Sequence, residues 1–133
     1  MKLVIDTNII LVSISEYSPH HWLFKSLINK DFILCVSNEI LLEYEEIISQ
    51  YMGEKTATLF MELLDNLSNV EYVTQYFKWN LIKVDPDDNK FTDCAIASNA
   101  EFLASNDKHF QVLKDISFPK VKVIDLDELK KYL

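Results

Sequence analysis

Arginine is missing from this sequence: all 13 basic residues are lysine. Forked guanidinium contacts to phosphate or guanine are therefore closed to the chain. Glycine is almost as scarce, with Gly53 the single example. That excludes the Gly-rich turns that wrap phosphate in dinucleotide-binding and P-loop folds. Cysteine is limited to Cys35 and Cys94, both in apolar surroundings, a setting of small core residues rather than of a disulfide or a metal pair. No apolar run approaches the ~20 residues a membrane span needs. There is no signal-peptide pattern, no low-complexity tail and no internal repeat. The expectation is a cytoplasmic protein with no membrane contact. Positive charge is also in deficit, since 21 acids leave a net charge of −8. Binding nucleic acid by bulk charge needs clustered cations and is excluded. An enzyme with a local lysine rim, or a chain with a basic protein partner, is not.

What is present is a chain of 133 residues that is 49% hydrophobic, enough for one compact domain, 1–133, with a substantial core. Its apolar residues come in short unbroken runs that end in polar turns. Leu3-Val4-Ile5 runs into Asp6-Thr7-Asn8, residues 32–36 run into Ser37-Asn38, and Phe102-Leu103-Ala104-Ser105 runs into Asn106-Asp107. Residues 120–124 are a fourth such run and 70–73 a shorter candidate. Runs without alternation suit strands covered on both faces, as in a parallel sheet.

Helical patterns lie between these runs. Residues 9–14 form a short buried passage, helical or irregular. Ser18-Pro19 then reads as an N-cap with proline at the first helical position, opening a helix to about residue 29. His20 and His21 fall in its first turn, facing solvent or a partner. Over 38–51 one stripe holds Ile40, Leu41, Tyr44, Ile47, Ile48 and Tyr51, with Glu43 at its border and Leu42 outside it. Over 56–67 the apolar side is Leu59, Phe60, Leu63, Leu64 and Leu67. The aromatic stretch 76–84 either packs into the core or, with Lys78 and Lys83, stacks on bases. Asp85-Pro86-Asp87-Asp88-Asn89 opens a helix to about residue 100 with Asp88 as N-cap, and a last helix covers 127–133.

Strands alternating with helices imply a parallel α/β sheet. Asp6 and Asp107 then leave strand ends on the same edge, where ligand sites of such sheets gather. Glu43 and Asp93 come from helices that begin at that edge. Asp93 shares its face with Asn89, Ala97 and Ala100; a carboxylate in such a stripe costs stability unless it has partners, which argues for a function. Clustered carboxylates cannot all stay ionised without a compensating cation. Oxygen ligands select the hard ions Mg²⁺ or Mn²⁺ over Zn²⁺, and such ions suit phosphoryl transfer. Lys90 and Lys108 flank the acids and are candidates for phosphate contact. His109 either lines the pocket or merely starts a helix. A Ser-His-Asp hydrolase lacks its nucleophile elbow. A receiver-like phospho-acceptor wants an acidic pair near its first strand, and Asp6 has no acidic neighbour.

These segments together resemble a known family. Leu3-Val4-Ile5-Asp6-Thr7-Asn8, then Ser37 to Tyr44 with its Glu, then Asp87-Asp88-Asn89 with Asp93-Cys94-Ala95-Ile96-Ala97, then Ser105-Asn106-Asp107 match a PIN domain in order and spacing. They resemble in particular the bacterial toxins of the VapBC type, over essentially the whole chain. The resemblance implies a three-layer α/β/α sandwich on a short central parallel sheet and a metal-dependent endoribonuclease. It assigns Asp6, Glu43, Asp93 and Asp107 as the four acids that hold Mg²⁺ or Mn²⁺. Thr7, Asn8 and Ser105 fall on supporting polar positions that orient the carboxylates, and Asp88 is an extra acid at the pocket rim. Asn106 stands where the family usually has a small residue. A 5′-phosphate product, a homodimer and a cognate antitoxin inserting a peptide into the acidic pocket are also implied. A PIN-like scaffold that binds RNA or protein without cleaving is the alternative.

Overall fold

A computed structural model describes residues 1–133. Five strands, β1 (Lys2–Ile5), β2 (Ile33–Val36), β3 (Val70–Tyr72), β4 (Phe102–Ala104) and β5 (Val123–Ile124), form one sheet in the order β3-β2-β1-β4-β5. Every pairing is parallel. The apolar runs are strands because both of their faces are covered: Leu3, Val4, Ile5, Leu34, Cys35, Val36, Leu103 and Ala104 are all fully buried. The chain builds outward from β1 on one side, through β2 to β3, then crosses back to lay down β4 and β5 on the other. Strand order therefore reverses between β1 and β4, and a crevice opens at the carboxyl ends of those two strands.

The helices are α1 (Thr7–Ile14), α2 (His21–Ile28), α3 (Asn38–Met52), α4 (Glu54–Asn66), α5 (Asn89–Ser98) and α6 (Leu126–Lys130). They flank the sheet as the outer layers of an α/β/α arrangement, α5 packing on β1, β2 and β4. Ser37 caps α3 by accepting the Ile40 N–H. Gly53 joins α3 to α4 in a single residue at φ +94°, a conformation that side chains with a Cβ adopt poorly. On α3 the buried residues are Ile40, Tyr44 and Ile48. The Tyr44 hydroxyl donates to the Ile5 carbonyl at 2.5 Å, which fixes the end of β1 one residue before Asp6.

Three expectations change. Tyr51 and Leu59, placed on apolar stripes, are exposed; each belongs to the α3–α4 hairpin, which has sheet or helix on only one side. Segment 74–84 is irregular and its aromatics stay largely outside the core. Where His109 was expected at most to start a helix, Lys108–Asp115 forms a long 3₁₀ helix; its buried Phe110 and Leu113 are three residues apart, the period of a 3₁₀ turn. No helix is long and apolar enough to cross a membrane.

Candidate active site

Asp6 sits where β1 ends and α1 begins, with its backbone N–H donating to the Ala104 carbonyl at 3.0 Å. This bond ties the ends of β1 and β4 together and places Asp6 in the crevice. Its side chain is 7% exposed, and Ser105, just past β4, donates its hydroxyl to Asp6 Oδ2 at 2.8 Å. Ser105 Oγ in turn accepts the Asp107 N–H at 3.0 Å, so one hydroxyl positions two acids. Asp107 caps the 3₁₀ helix by accepting the His109 N–H at 2.9 Å. Asp6, Asn8, Ile9, Val12, His20, Asn106 and Asp107 line an open cleft of about 340 Å³.

The other two acids come from helices. Glu43, on α3, accepts a hydrogen bond from the Thr7 hydroxyl through Oε2. Its Oε1 is 2.7 Å from Lys90 Nζ, and Lys90 also reaches Asp87 at 3.0 Å. Asp88, in the 3₁₀ turn Pro86–Asp88, directs Oδ2 to His109 Nδ1 at 3.3 Å. Asp88 therefore stands at the N-cap position without capping through its side chain. The cap of that turn is Asp85, which accepts the Asp87 N–H at 3.2 Å. Ligand atoms of Asp85, Asp88 and His109 lie within 4.8 Å of one another.

The electrostatics follow from this packing. Burial pushes the Asp6 carboxyl up to about 6; Asp88 and Glu43 push the same way, and the Ser105 hydrogen bond opposes them. Burial also raises Asp88, helped by Asp85 and Asp107 and opposed by the bond to His109. For Lys90 burial works against the charge, but its bonds to Glu43 and Asp87 outweigh it and the ammonium is held more firmly. No lysine pairs with Asp6, Asp88 or Asp107. Charge on these three carboxylates is therefore offset by one imidazole at most.

Asp93 is not brought to this group. From Asp88 to Asp93 is five residues, which on a helix is about 7.5 Å along the axis and about 140° around it. Its carboxylate instead accepts the Trp79 N–H at 3.2 Å. Burial raises its pKa, and the charges it feels are those of Glu39 and Lys78 rather than of the other acids. Asn89, one turn before it on the same face, exchanges two bonds with the backbone of Ile82 at 2.9 Å. Asp93 thus anchors segment 74–84 to α5, and Asp88 takes the place among the acids expected of Asp93. The signal for this was available: Asp88 precedes the helix at the sheet edge, whereas Asp93 lies well inside it.

Lys90 likewise departs from expectation. It is spent on Glu43 and Asp87, with its side chain 10% exposed, and does not face solvent as a phosphate contact would. Lys108 is exposed beside Asp107. Asn8 lines the cleft as a supporting residue would. His20, expected to face solvent or a partner, lies at the cleft mouth. His21 bonds to the Ser13 carbonyl at 2.8 Å and does not.

A family model described as the PIN domain matches residues 2–109. The chain belongs to the PIN domain family. Solved structures share its fold at low identity. A chain of VapBC2 from Rickettsia felis, crystallised on a DNA fragment from its promoter, is 19% identical, with TM-score 0.64 over 94% of this chain and 98% of that one. A chain of DNA-bound VapBC from Salmonella typhimurium is 17% identical, with TM-score 0.59 over 95% and 98%. VapC20 of Mycobacterium tuberculosis, described as a toxin that cleaves the sarcin-ricin loop, is 15% identical, with TM-score 0.60 over 82% and 92%. No curated protein matches the sequence.

The donor set fits a hard divalent cation. Carboxylate oxygens dominate, and burial together with neighbouring acids holds two of them at raised pKa, a cost that a bound cation offsets. The imidazole of His109 adds one nitrogen donor beside Asp88 and Asp107.

Proposed function

We propose that this PIN domain is a divalent-metal-dependent endoribonuclease, the toxin of a toxin–antitoxin pair, acting in the cytoplasm. The observation that carries the proposal is the meeting of Asp6, Asp88 and Asp107 with His109 at the strand-order switch, with no lysine to neutralise them. The family match and the toxins among the structural neighbours support the same reading.

Asp6, Asp88 and Asp107 would hold Mg²⁺ or Mn²⁺, with His109 as a further ligand. When bound, such an ion neutralises the scissile phosphate and lowers the pKa of water. Ser105 keeps Asp6 and Asp107 in register, and Thr7 and Lys90 together hold Glu43 at the border of the pocket. In the reaction water attacks phosphorus in line, the bond to the 3′-oxygen breaks, and that oxygen takes a proton from solvent to give a 3′-hydroxyl and a 5′-phosphate. Water's own proton passes to a carboxylate of the group. The exposed Lys108 is the free ammonium nearest in sequence to these acids and the candidate for steering phosphate.

The cognate antitoxin would present a basic segment to this acidic pocket, since opposite charge speeds and orients association; a homodimer is part of the same proposal. A second reading, a scaffold that binds without cleaving, draws on the Glu43–Lys90 ion pair, which engages one of the expected ligands. Purified protein decides between them. The ribonuclease cleaves single-stranded RNA with Mn²⁺ and stops with EDTA; equal inactivity in both, at high protein concentration, favours the scaffold.

A further inference from the structure

Outside the acid pocket an aromatic patch stands on the surface. Tyr76 is 94% exposed, Phe118 81% and Phe77 63%, although large aromatic side chains ordinarily gain much by burial. Two of these rings join through Trp79, and Tyr76 neighbours Phe77 in sequence. Phe77 packs edge-on to Trp79 at 4.6 Å between centroids, and Trp79 edge-on to Phe118 at 6.2 Å. Two segments remote in sequence therefore build one patch. Residues 72–84 contain no acid and carry Lys78 and Lys83; residues 116–124 contain no acid and carry Lys120 and Lys122. In a chain of net charge −8, the two segments that meet here are both positive.

The patch is also pinned. The Gln75 amide donates to the Lys90 carbonyl at 2.9 Å, the Trp79 N–H to Asp93, and Ile82 exchanges bonds with Asn89. Irregular backbone is thus fixed along α5 and displays its rings on a rigid support. In sequence it leads directly into Asp85 and Asp88.

We infer that this patch is a stacking platform for unpaired bases of an RNA strand whose backbone runs on into the acid pocket. The inference rests on the ribonuclease reading of that pocket. Aromatic faces accept any base, and lysines alongside them track phosphate; duplex bases are already stacked on each other and have no face to offer. A protein partner is the competing occupant, but lysine is depleted at protein interfaces, and both segments that build this patch carry lysine and no acid.

The test uses the full chain and a Tyr76→Ala/Phe118→Ala double variant. Both positions are exposed and outside the core, and circular dichroism checks that the fold is retained. Binding of labelled oligoadenylate is measured by anisotropy in EDTA, so that nothing is cleaved. The same strand annealed to oligouridylate serves as the duplex arm. In Mn²⁺, cleavage of the oligomer is compared with hydrolysis of bis(p-nitrophenyl) phosphate, which has no bases and reports on the acid pocket alone. The platform predicts that single-strand binding falls roughly ten- to a hundred-fold, that duplex binds weakly throughout, and that the small ester is hydrolysed at the same rate. Unchanged single-strand binding overturns it, as does a variant that alters only the oligomeric state, which would make the patch a protein interface. Loss of binding in a protein that hydrolyses neither substrate keeps the platform and removes the ribonuclease reading. Ester hydrolysis with no effect of the double variant on RNA does the reverse.

Discussion

Asp6 is held in the fold at a cost to its own charge. Burial and the neighbouring acids raise its carboxyl to about 6, against ~3.9 in an unfolded chain. The folded state thus binds this proton more tightly than the unfolded one. The resulting stabilisation is fully present below the unfolded pKa and is lost as pH rises through about 6. Asp6→Asn keeps the acceptor for Ser105 and removes the charge. In metal-free protein it should raise the unfolding free energy by about 1–3 kcal/mol at pH 8 and have little effect at pH 4, as read by urea denaturation. Mn²⁺ should raise the melting temperature of the unsubstituted chain above pH 6 and do far less for the variant. Asp88 and Asp93 give an opposed pair of outcomes. Asp88→Asn should remove cleavage and weaken Mn²⁺ binding, measured by calorimetry. Asp93→Ala should leave Mn²⁺ affinity within about two-fold while costing roughly 1 kcal/mol of stability for the lost bond to Trp79.

At the scale of elements, Gly53 is the one glycine, and the backbone at the α3–α4 junction calls for it. Gly53→Ala meets no neighbouring atom within 4 Å, so its cost is purely conformational, about 1–3 kcal/mol for a backbone region that is essentially glycine-only, and should appear as a lower melting temperature with unchanged metal affinity. The strands could be read from the sequence because burial on both faces leaves unbroken apolar runs, and their polar ends marked the sheet edge that holds Asp6 and Asp107. Helices with one covered face left stripes that located Ile40, Tyr44 and Ile48. The same rule failed for Tyr51 and Leu59, since periodicity shows which side is apolar but not where the neighbouring layer stops. Segment 74–84 has no period because side-chain bonds to α5, rather than a repeating backbone pattern, hold it. The choice between Asp88 and Asp93 turned on the same point: composition around Asp93 showed that it needed a partner, and that partner is the Trp79 backbone.

Over the whole molecule, the sheet order β3-β2-β1-β4-β5 brings a strand end, a strand-to-3₁₀ turn and two helix starts, separated by up to about a hundred residues, to one hollow. Long parallel crossovers of this kind gain their contacts late, because loop closure precedes them. The hollow is then a product of the complete fold rather than of any local motif, and its negative charge persists because Glu43 alone of its acids pairs with a lysine, one it shares with Asp87. Cation binding at that hollow is the central claim. Isothermal calorimetry of Mn²⁺ into the full chain at pH 7.5 tests it most directly. The account predicts a saturable site lost in both Asp6→Asn and Asp88→Asn and retained in Asp93→Ala. Binding that survives Asp88→Asn but vanishes in Asp93→Ala, or no binding at all, would contradict it.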